Sequence, residues 1–209
     1  MTLNDEKYNI PIFTKNIYLR TQAHKTLTTN MEAYAETDLL RLRKIEQHDK
    51  LDLFEMDSDP DVHLYIENNP VKTIEEVECV IEMIRDQYVK NGIGRWAVIE
   101  KNRGECIGWA GLKYFDQPLN HHCHFYELGY RFKKKHWGKG YATEASRAII
   151  DYATHTLGAD VIYAITDPRN DGSKHVLEKL GFEHIEVFDY EGDPTDWYRL
   201  KIKGRQATI

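Results

Sequence analysis

The chain has 209 residues, a formal net charge of −6 and 41% hydrophobic residues, which suits one globular domain with an extension. No apolar run reaches the ~18 residues that cross a bilayer. Residues 1–7 are acidic where a secretory signal is basic, so we expect a cytoplasmic protein with no membrane partner. The acidic balance argues against nucleic-acid binding and is compatible with a cationic substrate. The three cysteines lie far apart, which predicts neither a disulfide framework nor a metal-binding pair.

Residues 1–37 are polar and carry few long periodic segments, so we interpret them as an N-terminal extension before a domain at residues 38–209. Within the extension, residues 13–20 have the pattern of a strand. The domain opens with alternating leucines at residues 40–43, which predict a half-buried strand, and a short helix follows over residues 47–56.

The clearest helix of the first half runs from Thr73 to Lys90. Thr73 and Glu76 have the spacing of a capping box, an apolar stripe recurs at helical spacing, and Asn91-Gly92 supplies a stop signal.

The second half alternates strands and helices. Its predicted elements, in chain order three strands, a helix, a strand, a helix and two strands, cover residues 95–100, 106–112, 126–132, 141–156, 161–166, 171–180, 183–188 and 197–202. The early hairpin predicts antiparallel pairing, and the strand–helix–strand run predicts a right-handed crossover. We therefore predict an α/β fold with a mixed, mostly antiparallel sheet and helices on both faces.

The connection between residues 132 and 145 has the pattern of a phosphate-binding loop. It leaves a strand, passes through Gly138 and Gly140, and enters a helix, whose N-terminus presents unpaired N–H groups and a partial positive charge. Glycine lets the main chain approach phosphate oxygens. Four lysines add positive charge: Lys133, Lys134, Lys135 and Lys139. A solvated turn is the alternative, but the coincidence of strand, glycines, lysines and helix favours a diphosphate ligand.

Several motifs resemble one known family. Lys135-His-Trp-Gly138-Lys-Gly140 resembles the Q/R-x-x-G-x-G/A signature of GNAT acetyltransferases. The runs 127–130, 137–145 and 170–182 resemble the ribosomal-protein N-terminal acetyltransferase (RimJ/RimL-like) branch, and the likeness covers about residues 38–200. This resemblance implies the GNAT acyl-CoA N-acyltransferase fold with a splayed strand pair, acetyl-CoA as cosubstrate, and no metal.

The resemblance also implies which residues bind acetyl-CoA. The main chain at Phe132 and Lys133 would receive the pantetheine arm. Asn170 would contact the arm or the reacting end, and Ser173 would either assist or cap its helix. The pyrophosphate would be held by the loop and the start of the helix, namely Lys135, His136, Trp137, Gly138, Lys139, Gly140, Tyr141 and Ala142.

Two residues of the preceding strand are candidates for the chemistry. Gly129 interrupts the strand, so we expect a β-bulge that opens a slot for the thioester. Glu127 is our candidate general base, because a primary amine must lose a proton before it attacks. A glutamate paired with an arginine such as Arg131 is the alternative. A main-chain donor near Gly129 and Tyr130 would stabilise the oxyanion.

The chain departs from the family at Leu177. Many GNAT enzymes carry a tyrosine there that protonates the leaving thiolate, so Ser173, Tyr198 or a water would take this role. The run His121-His-Cys-His124 is interpreted as a solvated loop, because adjacent side chains in an extended loop diverge.

The function expected from these observations is acetyl transfer from acetyl-CoA to a primary amine. The acceptor is a protein N-terminus or a small amine such as a polyamine, an amino acid or an amino sugar, and the enzyme acts as a monomer or homodimer. A catalytically silent acyl-CoA-binding sensor is the alternative.

Overall fold

The structure is a computed structural model that describes residues 33–66 and 68–202. The strand predicted at residues 13–20 lies outside the described residues. The first described strand, at residues 33–36, lies within the predicted extension and pairs with its successor in the sheet. Over the described ranges, no helix combines the length and the apolar character needed to cross a membrane.

Eight strands of the described residues form one sheet, in the order β1-β2-β3-β4-β5-β6-β8-β7. They are β1 (Ala33–Glu36), β2 (Leu40–Lys44), β3 (Arg95–Glu100), β4 (Glu105–Phe115), β5 (Phe125–Phe132), β6 (Val161–Thr166), β7 (Glu183–Tyr190) and β8 (Asp193–Lys201). Only β5 and β6 pair in parallel; the other neighbours are antiparallel. The predicted mixed, mostly antiparallel sheet is confirmed.

Five α-helices are described, together with 3₁₀ turns at Gln47–Asp49 and Lys134–His136. They are α1 (Lys50–Asp57), α2 (Pro60–His63), α3 (Ile74–Asn91), α4 (Tyr141–His155) and α5 (Asp171–Lys179). Helix α3 starts where the Thr73 hydroxyl accepts from Glu76 N at 3.4 Å, and ends at Gly92 with φ +69°. The Glu76 carboxylate accepts from Lys72 N instead, so half of the predicted capping box forms.

The helices cover both faces of the sheet, as predicted. Helix α4 packs against one face, where its small residues allow close approach; this core includes Leu42, Val98, Leu128, Ala145 and Ile149. Helices α1 and α3 pack against the other face, with a core that includes Leu53, Met56, Ile81, Ala97 and Ile99.

The parallel strands β5 and β6 diverge soon after they meet. They pair only at Tyr126↔Ile162 and Glu127↔Tyr163, so the rest of β5 presents an open edge. The bulge predicted at Gly129 is wrong, because β4 and β5 stay in register from Gly108↔Phe132 to Phe115↔Phe125. A Cβ at Gly129 would lie 2.6 Å from Arg95 Nη2, so glycine at this position leaves the space in which the Arg95 guanidinium lies.

At the end of β5, Lys133 anchors α1 to the sheet. Its side chain is almost fully buried, and Nζ donates to Asp52 Oδ1 (2.7 Å), Glu55 Oε2 (2.9 Å) and Glu105 Oε1 (3.0 Å). These three carboxylates could group around a metal ion, but the cation at their centre is the lysine ammonium. Lys135 adds a second ammonium, 2.8 Å from both Glu55 and Glu105.

This cluster predicts an acid-sensitive contribution to stability. Burial opposes the ionisation of Glu105, but hydrogen bonds from Lys135 and Lys133 outweigh it and lower its pKa to about 2. Because the folded-state pKa is depressed, the stabilisation is present above the ordinary value of 4.5 and is lost as the pH falls from 4.5 towards 2. The free energy of unfolding, measured with urea across this pH range, should fall less steeply with pH for Glu105→Gln than for the wild type. Glu178 is exposed, so Glu178→Gln is the control and should show the pH dependence of the wild type. If the unfolding free energy of Glu105→Gln fell with pH as steeply as that of the wild type, Glu105 would not be the source of the acid sensitivity.

Candidate active site

The loop between β5 and α4 presents main-chain N–H groups to solvent. Gly138 and Gly140 adopt φ values of +70° and +83°, and apart from the chain neighbours no atom of residues 33–66 and 68–202 lies within 4 Å of a Cβ placed at either position. Among the described residues, no side chain caps the start of α4. The first N–H groups of a helix lack intrahelical acceptors and lie at the positive end of its dipole. The loop can therefore accept an anion through its main chain.

The lysines of this loop are mostly directed elsewhere. Lys134 forms an ion pair with Asp61, whereas Lys133 and Lys135 belong to the cluster with Glu105. In the described ranges only Lys139 of the four forms no ion pair. The prediction that all four lysines add positive charge around the ligand does not fit this geometry. The attraction for an anion rests mainly on main-chain N–H groups and the helix dipole.

His136 and Trp137 support the loop from within. His136 is buried, and neither ring nitrogen has a hydrogen-bond partner within the described part of the chain, although Nε2 lies 3.9 Å from Glu105 Oε1. Burial is the main cause that lowers its pKa, so the ring is neutral at pH 7. Its side chain packs near Tyr141, 6.0 Å away between ring centroids, and is not placed to bind a ligand. Trp137 is half exposed, and its Nε1 donates to Phe132 O at 2.8 Å, which ties the loop to the strand end.

The open edge of β5 is formed by Tyr130 and Phe132. Lys133 N donates to Ile107 O at 3.0 Å, so this residue turns its main chain towards β4. Successive residues of a strand present their main-chain groups to opposite edges, so Tyr130 and Phe132 face away from β4. The predicted pantetheine contact thus fits Phe132, but not Lys133, whose N–H is already bonded and whose side chain lies in the ionic cluster.

A cleft of about 180 Å³ lies between the splayed strands. It brings together three predicted site residues, Glu127, Asn170 and Ser173. Its remaining lining consists of Tyr65, Ile66, Arg95, Trp109, residues 128–131, residues 164–167 and Leu177. Tyr198, the other tyrosine considered for the thiolate, does not line the cleft.

Glu127 lies in the cleft wall as one half of a buried ion pair. Its carboxylate accepts from Arg95 Nη2, and Arg95 Nη1 donates to Glu127 O at 3.0 Å and to Gly111 O at 2.6 Å. The partner is therefore Arg95 and not Arg131, which pairs with Asp57 at 2.8 Å. These contacts hold the carboxylate in one orientation, and its role as a base remains a prediction.

Asn170 and Ser173 form the start of α5 at the cleft. Asn170 Oδ1 accepts from Ser173 N at 3.0 Å, so Asn170 supplies the cap for which Ser173 was considered. Ser173 Oγ lies 3.1 Å from the Tyr130 hydroxyl. Burial raises the pKa of Tyr130 to about 12, so this phenol keeps its proton at neutral pH. The sequence analysis considered only the main chain near Tyr130, so it missed the side chain.

The charged wall around Trp109 was not predicted from the sequence either. The indole lies between two guanidinium groups, with Cζ of Arg95 at 5.3 Å and of Arg131 at 5.2 Å from the ring centroid. These three residues stand on adjacent strands in register, Arg95↔Gly111 and Trp109↔Arg131, a pairing that the sequence pattern alone does not reveal.

The histidine run lies apart from this cleft. His122 stacks on Trp197 at 5.6 Å between ring centroids, and its Nδ1 lies 3.3 Å from the Tyr163 hydroxyl. His124 Nδ1 lies 3.2 Å from the Tyr114 hydroxyl instead. The two rings therefore have separate aromatic partners, as expected for divergent side chains.

A splayed strand pair, an open main-chain edge and an uncapped helix start together define a transferase that uses an acyl-CoA thioester. The chain belongs to the GNAT acetyltransferase family, since residues 40–183 match the acetyltransferase (GNAT) domain. The protein is an acetyl-CoA-dependent N-acetyltransferase by family, and its predicted fold and enzyme class are confirmed.

Named relatives agree with this assignment. The chain is 34% identical over 174 residues to the "Uncharacterized N-acetyltransferase p20" of Bacillus licheniformis, covering 83% of this chain and 90% of that one. It is 27% identical over 143 residues to the spermidine N(1)-acetyltransferase of Escherichia coli, covering 68% and 72%. The RimL ribosomal L7/L12 alpha-N-protein acetyltransferase, solved with coenzyme A, superposes with TM-score 0.69 at 15% identity, covering 82% and 98%, and shows the shared fold.

Proposed function

We propose that this protein acetylates a primary amine, either the α-amine of a protein N-terminus or the amine of a small molecule, by direct attack on the thioester of acetyl-CoA. The observation that carries the proposal is the cleft between β5 and β6, where Glu127, the Tyr130–Ser173 pair and the open edge of β5 meet. Acetyl-CoA supplies an activated acetyl group to this cleft.

Binding of the cosubstrate uses mainly the backbone of the chain. The edge groups of Tyr130 and Phe132 are suited to pair with the amides of the pantetheine arm. The main-chain N–H groups from Gly138 to Ala142 are suited to the pyrophosphate, because both glycines leave open space in front of the loop. Side chains of Lys133 and His136 have no part in this binding.

The reaction requires the amine to lose one proton and the thiolate to gain one. Glu127 accepts the amine proton, directly or through a water, as the new C–N bond forms. A main-chain donor near Gly129 and Tyr130 stabilises the oxyanion, and the C–S bond then breaks. The Ser173 hydroxyl, which lies 3.1 Å from the protonated Tyr130 hydroxyl, donates a hydrogen bond to the departing thiolate, and the thiolate takes its proton from water; with a pKa near ~8.5 it needs little help.

Acetyl-CoA should raise the melting temperature, and a saturating excess of ~100 times Kd stabilises a selective binder by about 2.7 kcal/mol. Free thiol should then appear with at least one member of a panel of amines and short peptides. The silent-sensor alternative rests on Leu177 at the tyrosine position and on the pairing of Glu127 with Arg95. Stabilisation without thiol release from any acceptor would support that sensor, and no stabilisation at all would contradict both functions.

A further inference from the structure

In the wall of the cleft, two N–H donors of Arg131 have no hydrogen-bond acceptor among the described residues. Arg131 lines the cleft, and its Nη1 donates to Asp57 Oδ1 at 2.8 Å. Its Nε is buried with no hydrogen-bond partner. Within residues 33–66 and 68–202, Nη2 has no hydrogen-bond partner either. Nε and Nη2 form one side of the planar guanidinium, and such a pair of parallel N–H donors matches a carboxylate.

The surroundings hold this guanidinium in place. Asp57 is buried and fixes Nη1, while the Trp109 ring supports the group from the side at 5.2 Å. A preorganised donor edge loses little freedom when a ligand binds. A buried donor without a partner is costly in a folded protein, and a ligand carboxylate would give the edge of Arg131 the acceptor that the described residues do not supply.

The carboxylates of the cleft, by contrast, are already neutralised. Two of them line it, and each contacts an arginine: Glu127 pairs with Arg95, and Asp167 with Arg169 at 2.6 Å. A polyamine brings a second ammonium group into a wall that offers, among the described lining residues, no carboxylate without a cationic partner. That second ammonium would therefore find no unpaired negative charge in the described lining.

We propose that the acceptor carries a carboxylate within a few bonds of its amine, as an amino acid does, and that the Nε–Nη2 edge of Arg131 binds this carboxylate. This inference rests on the proposed acetyl transfer at the same cleft. The amine then lies towards Glu127, which stands four residues earlier on the same face of β5. Trp109 lines the same cleft, and its apolar ring suits the carbon atoms that join the amine and the carboxylate.

The test compares amino acids with their own amides. Thiol release from acetyl-CoA is measured with α-, β- and γ-amino acids, the corresponding amides, and spermidine. The amine of an amide is less basic and has the larger neutral fraction, so without carboxylate recognition the amides react faster. We expect the reverse for the wild type, with kcat/KM at least about tenfold higher for the best acid than for its amide and for spermidine.

Variants locate the recognition. Arg131→Gln should reduce the ratio of kcat/KM for the acid to that for its amide at least about tenfold. Arg131→Lys keeps the positive charge but lacks the pair of parallel N–H donors, so it should give an intermediate ratio. Arg85→Gln removes an arginine that pairs with Glu46 outside the cleft and should leave the ratio as in the wild type. Because a ratio is measured within each variant, a partial loss of stability does not disturb the comparison.

The possible failures are distinguishable. If acetyl-CoA binds and amides or spermidine are preferred by the wild type, the carboxylate inference is wrong while the acetyl transfer stands. An acid preference that survives in Arg131→Gln assigns recognition to another group and also overturns the inference. No acetylation of any amine contradicts the proposed function itself.

Discussion

Replacing Glu127 by Gln should lower kcat by about 100-fold at pH 7, the lower range for loss of a general base. The carboxylate lines the cleft and is held by Arg95, and an amide of the same shape cannot take the proton of the attacking amine. The loss should shrink as the pH rises, because more of the amine is then already neutral. The measurement is thiol release over pH 6.5 to 9.5 with saturating acetyl-CoA.

Loss of stability needs a separate control, because Glu127→Gln also leaves the buried Arg95 without its partner. Breaking a buried ion pair costs about 3–5 kcal/mol. Asp49→Asn breaks a comparable pair, Arg43–Asp49, whose side chains are 6% and 2% exposed and do not line the cleft. It should lose similar stability yet keep its kcat. Equal turnover of Glu127→Gln and wild type at every pH would remove Glu127 from the mechanism.

A negative charge placed in the loop should weaken acetyl-CoA binding strongly. Gly138→Asp introduces a residue that tolerates positive φ, and its carboxylate extends into the open space where we place the pyrophosphate. We expect Kd for acetyl-CoA to rise at least about tenfold relative to Gly138→Asn, which has the same size and no charge. Titration calorimetry measures both variants.

Two controls separate this repulsion from other effects. The difference between Gly138→Asp and Gly138→Asn should narrow between 50 mM and 500 mM salt, because screening weakens interactions between exposed charges. Gly104→Asp adds the same charge at φ +67° in the turn between β3 and β4, again with open space around it, and should bind normally. Equal affinities for Asp and Asn at position 138 would place the pyrophosphate elsewhere.

Local signals predicted most of the fold. The cap at Thr73 and the stop at Gly92 act within a few residues of the chain, and the structure has both of them. The phosphate-loop pattern was equally local, because Gly138 and Gly140 adopt the positive φ that their residue type suggests.

Long-range pairing was not predictable from these signals. Lys133 looked like a loop lysine, but it meets acids of α1 and β4 that lie 28 to 81 residues away in the chain. Gly129 has the sequence of a bulge, yet it serves the close approach of Arg95. The partner of Glu127 and the free edge of Arg131 depend in the same way on which strands are neighbours.

The most direct measurement is a crystal structure of the protein with bound coenzyme A. The account predicts pyrophosphate oxygens within about 3 Å of main-chain nitrogens between Gly138 and Ala142, and the pantetheine arm beside Tyr130 and Phe132. A pyrophosphate bound instead by the lysine side chains, or at another face of the sheet, would contradict it.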